Sequence, residues 1–248
     1  MHPTVTQADE KKMAKIYSAK IARTYFTQRR KGTFVNDGIV NPALRSLVGD
    51  VTRKSVLDIG CGFGADAKYF LRNKVRKVVG IDVSESMVAL AKQNVRDARA
   101  TFFVSGVYSL GVQGTFDVCV ANLVFSQVKD ISRAFRSVAR VTKKGGICVF
   151  SLTHPILSAQ GGLKGRMFNY FNRKLYNEYV PTIGAAIPMY HHTTEDWSKA
   201  LEENGFVIEA LREPRTPKRL AKLFPDLYRM FSYRPNALIV KARKIKRG

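Results

Sequence analysis

The sequence predicts an α/β fold, a doubly wound and mostly parallel sheet with helices on both faces. Three observations carry that expectation. From Ser55 onward, apolar runs of strand length alternate with segments of helical periodicity. The runs are apolar at consecutive positions, the pattern of strands buried on both faces. The first run ends in a glycine turn that opens a helix, which is how such units begin. With 248 residues, 45% of them hydrophobic, the chain is long enough to bury one large core.

Taken in order, residues 9–28 carry Met13, Ile16, Tyr17, Ile21 and Tyr25 near helical spacing, which predicts one amphipathic helix ahead of the main domain. The polar stretch 29–41 reads as a connector. SVLDI, KVVGID, TFFV, FDVCVA and GGICVFSL read as five strands, with helices over 65–72, 84–96 and 130–140. After Leu152 the rhythm breaks. Residues 153–192 hold Pro155, Pro181, Pro188 and the glycines Gly161, Gly162 and Gly165, so they read as a long irregular insertion with one short helix near 166–179. A helix over 194–204 follows, with Thr193 or Thr194 as its cap and Gly205 at its end. FVIEALRE and NALIVKARK read as two further strands, joined by a connection rich in proline and lysine. The expected organisation is a helical cover at 1–40 and a main domain at 41–248, with the insertion 155–192 completing the cover.

Composition bounds the partners. Cys61, Cys119 and Cys148 cannot all pair and lie in or beside apolar runs, which suits reduced thiols in a cytoplasmic protein. No apolar stretch has the length of a signal peptide or a membrane span. The protein is basic: 42 Lys and Arg against 19 Asp and Glu give a net charge of +23, concentrated at 11–31, 212–222 and 241–247. That balance fits nucleic acid or an acidic substrate, and it equally fits a solvated surface.

Val56-Leu57-Asp58-Ile59-Gly60-Cys61-Gly62-Phe63-Gly64-Ala65 is a strand running into a glycine turn. Gly60, Gly62 and Ala65 also fit a dinucleotide fingerprint, and Asp58 separates the two readings. A carboxylate two residues before the first glycine repels a pyrophosphate and suits a ligand bearing an ammonium and a sulfonium. Asp82 stands 22 residues after Gly60 at the end of the second strand, where a carboxylate accepts hydrogen bonds from ribose hydroxyls. Together they place an adenosine with a cationic tail at the carboxyl ends of the strands.

These motifs resemble the class I S-adenosylmethionine-dependent methyltransferases. VLDIGCGFG is similar to the first motif of that family, VVGIDVSESMVALAK to the second, FDVCVANLVFSQVKD to the fourth and VTKKGGICVFSLTHP to the one after it. YHHTTEDWSKALEENGFVIEALREP with RPNALIVKARK resembles the closing helix and hairpin of its small-molecule members. The resemblance, which runs from about Asn41 to Lys244, implies a seven-stranded sheet with the last strand antiparallel and S-adenosylmethionine as cofactor. It implies that Asp58, Gly60, Cys61, Gly62 and Gly64 form the loop around the methionine end and that Asp82 takes the ribose. Val83 and Met87 would face the adenine, and Asn122 and Leu123 would flank the reacting methyl. One position departs from the pattern. Where members carry an acid for the adenine amino group, this chain has Gly106 and Val107, so backbone groups, Ser105 or Ser109 would hold that end.

Methyl transfer from a sulfonium is an in-line displacement and depends on alignment more than on acid or base groups. A base serves only an acceptor that must lose a proton, and His154, His191 and His192 are the candidates, each of which can equally be a structural hydrogen-bonding residue. Tyr17, Tyr25 and Tyr190 are candidates to line the acceptor pocket. No metal is expected. Enzymes acting on a base nitrogen carry Asn or Asp, Pro, Pro and an aromatic residue at the fourth strand; here the positions read Asn122-Leu123-Val124-Phe125, which favours a small-molecule acceptor, acidic if the charge is a guide. The alternatives are an RNA or protein acceptor, or a cofactor-binding module without catalysis.

Overall fold

Apolar strands with helices between them can bury both faces only by forming one central sheet, and the seven runs do so. The computed structural model describes residues 5–32, 34–162 and 168–245. In chain order its strands are β1 (Ser55–Ile59), β2 (Lys77–Asp82), β3 (Ala100–Val104), β4 (Phe116–Asn122), β5 (Thr142–Thr153), β6 (Leu175–Val180), β7 (Ala185–Tyr190), β8 (Phe206–Arg212) and β9 (Ala237–Lys244). The main sheet has the order β3-β2-β1-β4-β5-β9-β8, and β6 and β7 form a separate hairpin. Within the main sheet β9 alone runs antiparallel to its neighbours. The seven strands and the single reversed one agree with the expectation.

The helices are α1 (Val5–Ile16), α2 (Ala19–Arg30), α3 (Val35–Val48), α4 (Ala65–Arg72), α5 (Glu85–Asn94), α6 (Ile131–Val141), α7 (Pro155–Ala159), α8 (Thr194–Glu203) and α9 (Pro225–Tyr233). Side chains alternate across a strand, so each strand feeds two cores. Leu57, Ile59, Cys119 and Phe150 pack with Phe135 of α6 and Trp197 of α8. Val56, Val118, Val120 and Val149 pack on the other face with Leu44 of α3, Phe70 of α4 and Val88 of α5. The capping of α8 is a reciprocal box: the Asp196 amide donates to Thr193 and the Thr193 amide donates to the Asp196 carboxylate.

Three expectations are corrected. The helix expected over 9–28 is two helices, α1 and α2, parted at Tyr17 and Ser18; the Tyr17 carbonyl accepts from the Ser84 hydroxyl at 2.7 Å, a contact that an unbroken helix would deny it. The connector expected at 29–41 is largely α3, which also crosses the expected boundary at residue 40. Its polar residues misled the reading because α3 is polar toward the inside: Ile39, Val40 and Leu44 enter the core while Asn36 and Asn41 face a cavity. The short helix expected near 166–179 gives way to β6, paired with β7 from Leu175↔Tyr190 to Val180↔Ala185; Gly165, Arg166 and Met167 lie outside the described residues. The connection between the last two strands contains α9, whose Leu227 and Phe231 turn inward.

Phe125, Phe135, Phe150 and Trp197 form the densest aromatic contact, with Phe135 centred 4.8 Å from Phe125 and 5.2 Å from Phe150. Replacing a fully buried aromatic ring leaves a cavity that the neighbouring rings only partly fill. Phe135→Ala is expected to lower stability by about 3–5 kcal/mol, read as a fall in the urea midpoint. A loss under about 1 kcal/mol would show that this face of the core collapses around the gap.

Candidate active site

Strands β2 and β3 lie on one side of β1, and β4 and β5 on the other, so the connections after β1 and β4 leave in opposite directions. A crevice opens between them at the carboxyl ends of the strands. It holds a cavity of about 410 Å³. Its floor is the loop 58–63 with Asp82 and Val83, Ser105, Val107 and Tyr108, and Asn122 to Val124. Its roof comes from elsewhere in the chain: Met13, Tyr17 and Tyr25 of the N-terminal helices, Ile183, Ile187 and Met189 of the hairpin, and Leu227 and Phe231 of α9.

The glycine turn is conformationally required. Gly60 has φ of +66°, and a Cβ there would lie 2.3 Å from the Val124 side chain. Gly62, at φ +52°, would point a Cβ into open space, and its amide donates to Asp82 Oδ2 at 3.0 Å. The other Asp82 oxygen accepts from the Ser84 amide at 2.9 Å. Burial pushes the Asp82 carboxyl up to about 6, against the lowering effect of these two amides.

Asp58 is 2% exposed, and its Oδ2 is buried without a hydrogen-bond partner. Burial first, then the charges of Asp66 and Asp82, push this carboxyl well above its ordinary range, with Arg45 acting the other way. Asp66 is held by Arg45, Nη2 to Oδ1 at 2.7 Å, and the guanidinium lies 4.4 Å over the Tyr69 ring. Asn122 ties the strand ends together. Its Nδ2 donates to Asp66 Oδ2 at 3.0 Å and to Asn41 Oδ1 at 2.8 Å, while its Oδ1 accepts from Ser151 Oγ at 2.8 Å. Leu123 beside it takes a left-handed φ of +58°, held by its amide on Ser151.

Glu10 of α1 was not singled out from the sequence. Its Oε1 accepts from the Tyr108 amide at 3.1 Å, and the Val107 amide also bonds to the carboxylate. A Cβ on Gly106 would stand 2.1 Å from this carboxyl, so the bare backbone there admits it. The acid missing after β3 thus has a counterpart that arrives from a helix almost a hundred residues earlier in the chain. Only a sequence signal linking positions 10 and 106 would have shown it.

Of the residues expected in the site, Asp58, Gly60, Cys61, Gly62, Asp82, Val83, Met87, Val107, Asn122, Leu123, Tyr17 and Tyr25 line this one cavity. Gly64 and Gly106 do not. Gly64 is the left-handed N-cap of α4, with its missing Cβ directed at Val95. Tyr190 also lies off the wall and donates to Asp9 Oδ1 at 3.0 Å. None of the three histidines is among the residues that line the cavity, and each is hydrogen-bonded elsewhere. His154 caps α7, accepting from the Ile156 amide at 3.2 Å, and meets Glu213 at 2.8 Å; burial lowers its pKa. His191 is bonded to Ser158 Oγ at 2.6 Å and to the Tyr170 carbonyl at 2.7 Å. His192 is bonded to the Val128 carbonyl at 3.0 Å, with its ring 5.2 Å from Trp197, and burial lowers its pKa too.

Comparison with known proteins agrees with this geometry. The family model for a methyltransferase domain matches residues 57–150, the span from β1 through most of β5. A solved structure of an S-adenosylmethionine dependent methyltransferase from Mesorhizobium loti is 29% identical and superposes with a TM-score of 0.71, covering 82% of this chain and 96% of that one. An uncharacterized protein of Haemophilus influenzae is 24% identical over 86% of this chain and 90% of its own length. The demethylmenaquinone methyltransferase of Lactococcus lactis is 26% identical over 62% of this chain and 64% of its own length. The chain carries a methyltransferase domain and is an S-adenosylmethionine-dependent methyltransferase. Among the described residues no helix is long and apolar enough to cross a membrane.

The buried carboxyls make stability depend on pH in a stated direction. Because Asp82 titrates at about 6 in the folded chain and near 3.8 in the unfolded one, folding takes up a proton between those values, and stability declines as pH rises through that window. Asp82→Asn, which removes the titration, is expected to raise the urea midpoint more at about pH 7.5 than at about pH 5. An equal change at both pH values would contradict the assignment.

Proposed function

We propose that the cavity is the active site of a transferase that passes the methyl group of S-adenosylmethionine to a small-molecule acceptor held under α1, α2 and the β6–β7 hairpin. The observation that carries this reading is the continuity of one cavity from the glycine turn to an apolar roof. Its volume of about 410 Å³ falls in the range of small-ligand sites. The likeness to a demethylmenaquinone methyltransferase supports a small organic acceptor.

The residues present fit the cofactor. The unpartnered Oδ2 of Asp58 lies among acids and suits an ammonium, and the open space over Gly62 admits a chain that a Cβ would block. Asp82 at the end of β2 suits the two ribose hydroxyls, while Val83 and Met87 offer an apolar face to the adenine beside Glu10 and the 106–108 backbone. When bound, S-adenosylmethionine supplies an electrophilic methyl on a positively charged sulfur. The protein contributes alignment. Asn122 and Leu123, fixed by Ser151, Asp66 and Asn41, hold one side of the approach, and Tyr17 and Tyr25 hold the acceptor side.

The roof keeps water from the reacting groups, so α1, α2 and the hairpin act as the cover. The three buried free thiols support a place in the cytoplasm.

Calorimetry tests the assignment. Asp82→Ala removes a charge-assisted contact of about 1.5–3 kcal/mol, and S-adenosylhomocysteine is expected to bind roughly tenfold to a hundredfold more weakly to the folded variant. Unchanged affinity would overturn the placement of the cofactor.

A further inference from the structure

The charge of the cavity is opposite to that of the molecule. The chain carries +23, yet the wall is lined by six acids, Asp9, Glu10, Asp58, Asp66, Asp82 and Glu178, and among the described residues by one cationic side chain, Arg29. Arg29 is already engaged. It pairs with Asp37 and donates to the Tyr25 hydroxyl at 2.5 Å, with its guanidinium 5.4 Å over the Phe34 ring. With Asp58, Asp82 and Glu10 on the cofactor side and Asp66 paired to Arg45, a carboxylate or phosphate acceptor entering this partly dry space would meet Asp9 and Glu178 and, among the described residues that line it, no cation that is not already engaged. Arg29 apart, the described basic residues of 11–31, 212–222 and 241–245 are not among those that line it.

The roof adds two further constraints. It is apolar, with Met13, Tyr176, Ile183, Ile187 and Met189 packed as one cluster joined by Tyr17, Tyr25 and Phe34. It also contains unsatisfied oxygens. Asp9 Oδ2 and Asn236 Oδ1 are buried without a hydrogen-bond partner, and both residues line the cavity. Like Asp58 Oδ2, each is an acceptor in need of a donor. Asp9 and Met13 stand four residues apart on α1, with Tyr17 just beyond its end, so one face presents a carboxylate and then an apolar side chain.

We infer that the methyl acceptor is an apolar molecule, uncharged or cationic, carrying an O–H or N–H donor that Asp9 receives. This rests on the transferase reading of the cavity. The distinction lies between a neutral or cationic acceptor that gives a hydrogen bond and an anionic one that needs a cation.

The test separates charge classes before the reaction. A small-molecule extract is split on anion and cation exchangers, and each fraction is incubated with the protein and S-adenosylmethionine labelled in its methyl group. Label is expected in material from the unretained or cation-exchanger fractions, and Asp9→Asn is expected to lower it about tenfold. In the same variant S-adenosylhomocysteine affinity should stay within about twofold of wild type by calorimetry. Label from the anion-exchanger fraction alone would overturn the charge inference and leave the transferase reading standing. Full incorporation by Asp9→Asn would overturn the role of Asp9. Label from no fraction, in a protein that binds S-adenosylhomocysteine, would overturn the transferase reading and this inference with it.

Discussion

A carboxyl group at the end of the central strand, buried and with one oxygen that no protein group satisfies, is the constraint around which the site is built. Asp58 reaches that position because β1 is enclosed between β2 and β4 and every residue of the strand is buried. An unpaired buried carboxylate is unfavourable, and Asp66 and Asp82 nearby make it more so. The structure carries this penalty in a rigid frame. Arg45 neutralises Asp66, Asn122 ties Asp66 to Asn41, and Ser151 fixes both Asn122 and the left-handed Leu123. A cation arriving at Asp58 finds an acceptor already in place and desolvated, so little reorganisation is needed on binding.

The enclosure around that point is assembled from distant parts of the chain. Three segments that share no sequence proximity, α1 with α2, the β6–β7 hairpin and α9, meet over the carboxyl ends of the strands. Their contacts with the floor include aromatic packing of Tyr25 and Phe26 on Phe63 and two hydrogen bonds. Glu10 bonds to the backbone after β3, and the Tyr17 carbonyl accepts from Ser84, the residue that also caps α5. Charge is sorted along the same boundary, with acids at the wall and the basic excess outside. Net charge describes the solvated surface and not the desolvated chamber, so the two differ in sign among the described residues.

The histidines show how a local signal misleads. His154 follows a strand end and the pair His191 and His192 precedes a helix, both places where catalytic groups are found. In three dimensions they meet Glu213, Ser158 and the carbonyls of Tyr170 and Val128, His192 through its Nε2. Their positions in the chain were legible, but the direction of their side chains depended on partners far away in sequence. Glu10 is the converse, an acid in an unremarkable polar helix whose function follows only from where that helix docks.

The sequence by itself determined the sheet, its seven strands and reversed last strand by resemblance, the glycine turn and the two carboxylates at the ends of β1 and β2. These are local features: hydrophobic periodicity reports burial, and a turn that demands glycine is written in consecutive residues. The break between α1 and α2, the helical state of 35–48, the hairpin and the composition of the roof were decided by tertiary structure. Asn36 and Asn41 read as loop residues because polarity was taken to mean solvent, whereas here it means a cavity. The same reason separates Asp58 from Asp9. One belongs to a motif whose neighbours in sequence are its neighbours in space, and the other acquires its unsatisfied oxygen only when a distant helix is laid across the sheet.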